Sequence, residues 1–183
     1  MVLSVVIFVL VLRRLGTAYT PYQPERSQGT LQTQWIYQCL MAQITGFEAV
    51  NASLYDEATA IFESVSCATR LKRKKHKVLI ASAIFPGSAE VVKTMAQETD
   101  LELVWVPASA DSGLIDLEFL EAMDLGDVAA FVYPQINTFG CLEDVNALTD
   151  WAHERDLLAI GIIDPMLLAT KGPKPPSEWG ASG

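Results

Sequence analysis

With 183 residues, half of them hydrophobic and 19% charged, the chain has enough material for one domain with a sizeable core and is not a disordered polymer. A formal charge of -9 excludes broad nucleic-acid binding, which needs clustered Lys and Arg to neutralise phosphate. Cys39, Cys67 and Cys141 form no Cys-x-x-Cys pair and His76 and His153 are the only histidines, so the spacing holds neither a zinc site nor a disulfide framework. That cysteine usage points to a reducing, cytoplasmic setting. Cys39 and Cys67 fall in apolar helical patterns and are expected to be small core residues.

The chain opens on "VLSVVIFVLVL", Val2 to Leu12, followed by Arg13 and Arg14. A membrane-spanning helix needs about 20 apolar residues, and the charge order is the reverse of a secretory signal. Residues 1–16 read as a buried strand or as a stretch from a disrupted reading frame. An apolar run closed by two arginines also fits a membrane-associating anchor, though a membrane is not the expected partner.

"TAYTPYQPE" follows, Thr17 to Glu25. Pro21 and Pro24 fix their own φ and push Thr20 and Gln23 toward extended conformations, so this is no helix interior. It is a stiff strap whose Tyr19 and Tyr22 either pack or present hydroxyls to a pocket. Spacing alone does not choose.

From Thr30 the pattern turns helical, with Leu31, Trp35, Leu40 and Ile44 near helical spacing and Gly46 as the stop. Asn51 and Ser53 suit a turn, and Asp56 and Glu57 a helix start. That helix runs through Ile61, Phe62 and Val65 into the basic run "RLKRKKHK", Arg70 to Lys77, read as a cationic helix C-terminus rather than a nucleic-acid patch. "VLIASAIF", Val78 to Phe85, is a strand buried on both faces. Pro86 and Gly87 break it, and Ser88 is the expected cap of a helix through Val91, Val92 and Met95.

The alternation repeats: a strand over Leu101–Pro107, a short helix over Asp116–Met123, and a strand over Val128–Tyr133 with the loop "PQINTFG" after it. A helix then covers Glu143–Arg155, with Val145, Leu148, Trp151 and Ala152 inward, and a fourth strand covers Leu157–Asp164. The tail "KGPKPPSEWGASG" is rich in Pro and Gly. Apolar strands alternating with helices imply right-handed crossovers and a mainly parallel sheet. Ligands of such sheets sit beyond the carboxyl ends of the strands, which singles out Pro134–Gly140 and Asp164–Lys171. No G-x-G-x-x-G, Walker lysine loop or G-x-S-x-G elbow occurs on these turns, so nucleotide-binding and hydrolase readings lose their support.

Taken together, "TAYTPYQPE" running into "SQGTLQ", then "GFEAVNASLYDEATA", "NTFGCLED" and "KPPSEWGA", resemble the first subunit of the glycine cleavage system P-protein family, glycine dehydrogenase (decarboxylating). The resemblance covers Thr17 to Ala181 in order. It implies, for residues 17–183, part of an α/β domain with the mainly parallel sheet of the pyridoxal-phosphate-dependent transferases of fold type I. Family members carry a helical segment before the strap and further strands after Ala181, so the chain reads as a fragment.

In the family's two-chain, heterotetrameric form, the resemblance implies, the second subunit holds pyridoxal phosphate on a lysine. The first is a cofactor-free relative completing the active site. Together they decarboxylate glycine, release CO2 and pass the aminomethyl group to the lipoyl arm of the H-protein. The partners implied are therefore subunit 2, lipoylated H-protein and glycine. Tyr19, Tyr22, Asn51 and Tyr55 are the residues expected to face the shared pocket. No catalytic residue, no cofactor-binding residue and no metal site is expected in this chain itself.

The residues speak to that division. A phosphate cup needs free backbone N–H groups at a helix N-terminus, but in "LYDEATA" Asp56 and Glu57 place two carboxylates there, where the family often reads glycine at the position of Glu57. Lys171 is tempting as a cofactor lysine with Asp164 as its acid. Lys171 lies in a Gly/Pro-rich loop without a histidine to stack on a ring, and Asp164 reads as a strand-end cap, so both are disfavoured. The opposed reading is a non-catalytic interaction or remnant protein with a membrane-associating N-terminus. A self-sufficient aminotransferase-like enzyme fails on the missing phosphate cup.

Overall fold

A computed structural model of the chain describes residues 28–52, 54–73, 75–168 and 172–183. It divides into two compact units, Met1–Ser53 and Leu54–Gly183. The N-terminal apolar run, the tyrosine strap and Lys171 lie outside the described residues.

In the first unit, α1 spans Gln28–Thr45 and starts two residues before the expected Thr30. Gly46 stops it as expected. Its φ of 75° is one that a side chain resists, and its N–H closes on Ala42 O at 2.9 Å. Gln38 Nε2 donates to Val50 O at 2.7 Å and ties the following chain back to the helix. Leu31, Trp35, Leu40 and Ile44 are all exposed, Trp35 at 67%.

The second unit is the alternating α/β part. Its first helix, α2 (Glu57–Leu71), begins at Asp56, whose extended backbone and Oδ1, accepting from Thr59 N at 2.8 Å, make a side-chain cap. Ala58, Ile61, Val65 and Ala68, three and four apart, are its buried stripe. Four strands follow with helices between them: β1 (Lys77–Ala81), α3 (Pro86–Ala96), β2 (Glu102–Val106), α4 (Leu117–Glu121), β3 (Val128–Pro134), α5 (Val145–Glu154), β4 (Leu158–Ile162) and the single turn α6 (Pro165–Leu168).

The sheet runs β2-β1-β3-β4 and every pairing is parallel, with Leu79 opposite Val104 and Phe131, and Val132 opposite Ile160. One face, carrying Val78, Ile80, Ala130, Val132 and Ile160, packs under α2 and α3. On the other face Phe131 meets Trp151 of α5 edge-on, with centroids 5.7 Å apart, and Tyr133 meets Trp179 at 6.1 Å. All seven residues of β3 are buried, which suits a central parallel strand and its unbroken apolar text. Val145, Leu148, Trp151 and Ala152 all turn inward on α5.

Three expectations change. The first strand stops at Ala81, because the chain turns over Ser82–Phe85 to start α3 at Pro86. Ser88 does not cap α3; position N-cap is Phe85, with no side-chain bond, and the Ser88 hydroxyl instead donates to Glu57 Oε1 of α2 at 2.7 Å. Cys67 is exposed and Cys39 half-buried, so neither is a core residue. The start of the basic run closes α2, with Arg70 in its last turn and Lys72 as its cap; Lys72 Nζ lies 2.5 Å from Asp156 Oδ1, and Lys77, already in β1, pairs across the sheet with Glu102 at 3.4 Å. Such exposed pairs contribute little each. Among the described residues no helix is long and apolar enough to cross a membrane.

Candidate functional site

The parallel sheet directs attention to its carboxyl end, where Ser88 after β1 reaches the start of α2 and the chain leaving β4 runs beside it. An open cleft of about 290 Å³ lies between the first turns of α2 and the end of β4, lined by Glu57, Ala60, Ile61, Gly161, Ile162 and Ile163. Glu57 is at its rim, held by the Ser88 hydroxyl. Asp56 beside it is pinned by Thr59, whose backbone N–H holds the carboxyl below its usual pKa range.

These two acids decide what this helix start can bind. A phosphate here would displace a carboxylate from the N–H it already satisfies and would sit against a second negative charge. The turn therefore does not fit a phosphate-bearing cofactor. Asp164 is no better placed as an acid for a cofactor ring: it is exposed, its Oδ1 accepts from Met166 N at 2.9 Å, and its carbonyl accepts from Leu167 N. Its side chain thus closes the start of the single turn α6. Among the described residues no group of three or more His, Cys, Asp or Glu could hold a metal ion.

The four residues expected at the pocket fare differently. Tyr19 and Tyr22 lie outside the described residues. Asn51 is exposed in the first unit. Tyr55 belongs to the second and is 81% exposed, one residue before the cap of α2. The loop after β3, which the strand order singled out, holds buried polar residues that the sequence reading did not name as such. Gln135, Asn137 and Glu143 are buried polar residues, and Gln135 is anchored through its backbone to Ile162 O and Glu143 N. The Gln135 Oε1 meets no donor among the described residues. Asn followed three residues later by Gly was a legible turn signal in "NTFG", but nothing in the text marked Glu143 as its partner.

Helices on both faces of a parallel sheet define a doubly covered α/β domain. An Escherichia coli cysteine desulfurase structure superposes with a TM-score of 0.63 at 14% identity, over 98% of this chain and 45% of that one, a likeness of fold alone. The model of the family described as glycine cleavage system P-protein matches residues 2–182. The chain belongs to that family.

A protein named probable glycine dehydrogenase (decarboxylating) subunit 1 from Thioalkalivibrio sulfidiphilus is 44% identical over 169 residues, 91% of this chain and 37% of that protein. Its namesake from Nitrosospira multiformis is 44% identical over 167 residues, 91% of this chain and 36% of its own length. A crystal structure of glycine decarboxylase (P-protein) of the glycine cleavage system, in inhibitor-bound form, superposes with a TM-score of 0.78 at 34% identity, over 97% of this chain and 38% of that one. The chain thus spans a little over a third of the length of the relatives it matches.

Proposed function

We propose that this chain works as part of the first, cofactor-free subunit of glycine dehydrogenase (decarboxylating). With a companion second subunit that holds pyridoxal phosphate, it turns over glycine, releases CO2 and passes the aminomethyl group to the lipoyl arm of H-protein, in the cytoplasm. The observation that carries the division of labour is the start of α2: Asp56 caps it and Glu57 is bonded to Ser88, so the place where a phosphate would be cradled already carries this chain's own anions. The family membership and the name of the relatives, subunit 1, support a companion chain.

When bound on the companion, the cofactor supplies the electron sink for loss of the carboxylate. This chain's share is binding and enclosure. Phenol and amide groups at Tyr19, Tyr22, Asn51 and Tyr55 hydrogen-bond the glycine carboxylate without bringing a further charge to be buried, and the loops at the carboxyl end of the sheet exclude water.

The test has two arms. The purified chain, incubated with pyridoxal phosphate and dialysed, should retain no cofactor absorbance; a band that survives and vanishes in Lys171→Ala overturns the cofactor-free assignment. Co-expressed with a second subunit and supplied with H-protein, the chain should support glycine–bicarbonate exchange that the second subunit alone does not show. No gain over the second subunit alone would favour the non-catalytic reading.

A further inference from the structure

The loop between β3 and α5 is held by two buried side chains. Asn137 has spent its whole hydrogen-bonding capacity: Nδ2 donates to Gly113 O at 2.8 Å and to Glu143 Oε1 at 2.7 Å, while Oδ1 accepts from Phe139 N at 3.0 Å and Cys141 N at 3.1 Å. A carboxamide has two N–H donors and two lone pairs on oxygen, so none is left for a ligand. Glu143 completes the set, its Oε2 accepting from Ile115 N at 3.2 Å. The residue is 8% exposed, and its carboxylate forms no ion pair among the described residues and is satisfied by N–H donors alone.

These bonds join separate loops. Gly113 and Ile115 belong to the connection after β2, where Ala108 bridges Ile115; Asn137 and Glu143 flank the bridge of Ile136 with Leu142 after β3. Thr138 N donates to Ala83 O in the turn after β1 at 2.8 Å, and Gly140, at a φ of 80°, closes the hairpin. Phe139 is left standing 65% exposed at its tip.

We propose that Asn137 and Glu143 are positioning residues, a carboxamide–carboxylate clasp that sets the Thr138–Gly140 turn against the loops after β1 and β2 and so shapes the mouth at the carboxyl end of the sheet. The role of that mouth in turnover rests on the function proposed above, whereas the clasp is a property of this chain alone.

Amide hydrogen exchange on the isotope-labelled full chain decides it. In the native chain Ile115, Phe139 and Cys141 should be protected. In Glu143→Gln the new amide cannot accept from both Asn137 Nδ2 and Ile115 N, so those three amides should exchange at least ~10-fold faster while Phe131 and Val132 of β3 stay unchanged. Asn137→Asp sets two carboxylates against each other. It should likewise speed exchange at Ile115, Phe139 and Cys141.

Equal exchange in the native chain and Glu143→Gln overturns the clasp. So does loss of protection in β3 by the same factor in both variants, because the residues then serve the fold at large. In the complex with the second subunit, Glu143→Gln should raise KM for glycine more than it lowers kcat. A native complex with no exchange activity sinks the functional reading and leaves the clasp to the amide data. An active complex indifferent to Glu143→Gln, with the amides accelerated, refutes the link to the mouth.

Discussion

Gly161 of β4 lies directly beneath the indole of Trp179: a Cβ placed on Gly161 would come within 2.5 Å of Trp179 Cη2. The indole is buried against Tyr133 and donates through Nε1 to Lys174 O at 3.2 Å, and together with the bonds from Ser182 N to Ala159 O (2.7 Å) and from Gly161 N to Gly183 O (2.8 Å) it seats the Pro/Gly-rich tail on β4.

Gly161→Ala should therefore overpack this contact and destabilise the chain by about 1–3 kcal/mol, which at this chain length lowers the melting temperature by about 2–4 °C per kcal/mol. Thermal unfolding by circular dichroism checks it. Trp179→Phe should lessen the cost of the alanine, because the smaller ring makes room. A Gly161→Ala protein as stable as the native chain would contradict the contact.

Tyr133 predicts an alkaline limit. Its hydroxyl is bonded to Thr149 Oγ1, and that oxygen's own hydrogen goes to Val145 O, so Tyr133 is the donor. Burial, with a smaller contribution from nearby Asp150, pushes its pKa from 10.0 up to about 12. A folded-state pKa raised above the unfolded value means stability is whole below about pH 10 and lost as pH rises toward about 12. Tyr133→Phe should flatten that stretch of the stability–pH curve, at a neutral-pH cost of about 1 kcal/mol for the lost bond. An unaltered alkaline slope would refute this.

Asp56 and Asp156 act at the other end of the scale. Thr59 N–H lowers the first and the Lys72 ammonium the second, so both are depressed from 3.8. Their contributions are present above about pH 4 and lost as pH falls through the folded values. Asp56→Asn keeps a cap acceptor but removes the titration. Its melting temperature should fall less steeply with acidification than that of the native chain, and parallel curves would count against the assignment.

The tyrosines are tested in the complex with the second subunit. Tyr19→Phe, Tyr22→Phe, Tyr55→Phe and Asn51→Ala should each leave assembly intact and lower kcat/KM for glycine by roughly one to two decades, the worth of a hydrogen bond to an ionised group. If all the phenylalanine variants keep full activity, those phenols are packing residues and the site assignment fails.

How much of this was legible beforehand depends on the range of the interaction involved. The strands of β1 to β4, the inward face of α5 and the Asp56 cap were all readable, because burial on one or both faces repeats at the period of the element itself and a cap acts over three residues. The family, too, was legible from short stretches in order. What only the tertiary structure decided lies between elements distant in the chain: Ser88 turned away from its own helix to Glu57, Asn137 consumed by Glu143 and Gly113, Gly161 kept bare for Trp179. Periodicity tells which side of an element is apolar. Which particular atom meets it is set by crossover geometry and close packing across layers, where a single methyl or one N–H decides the outcome.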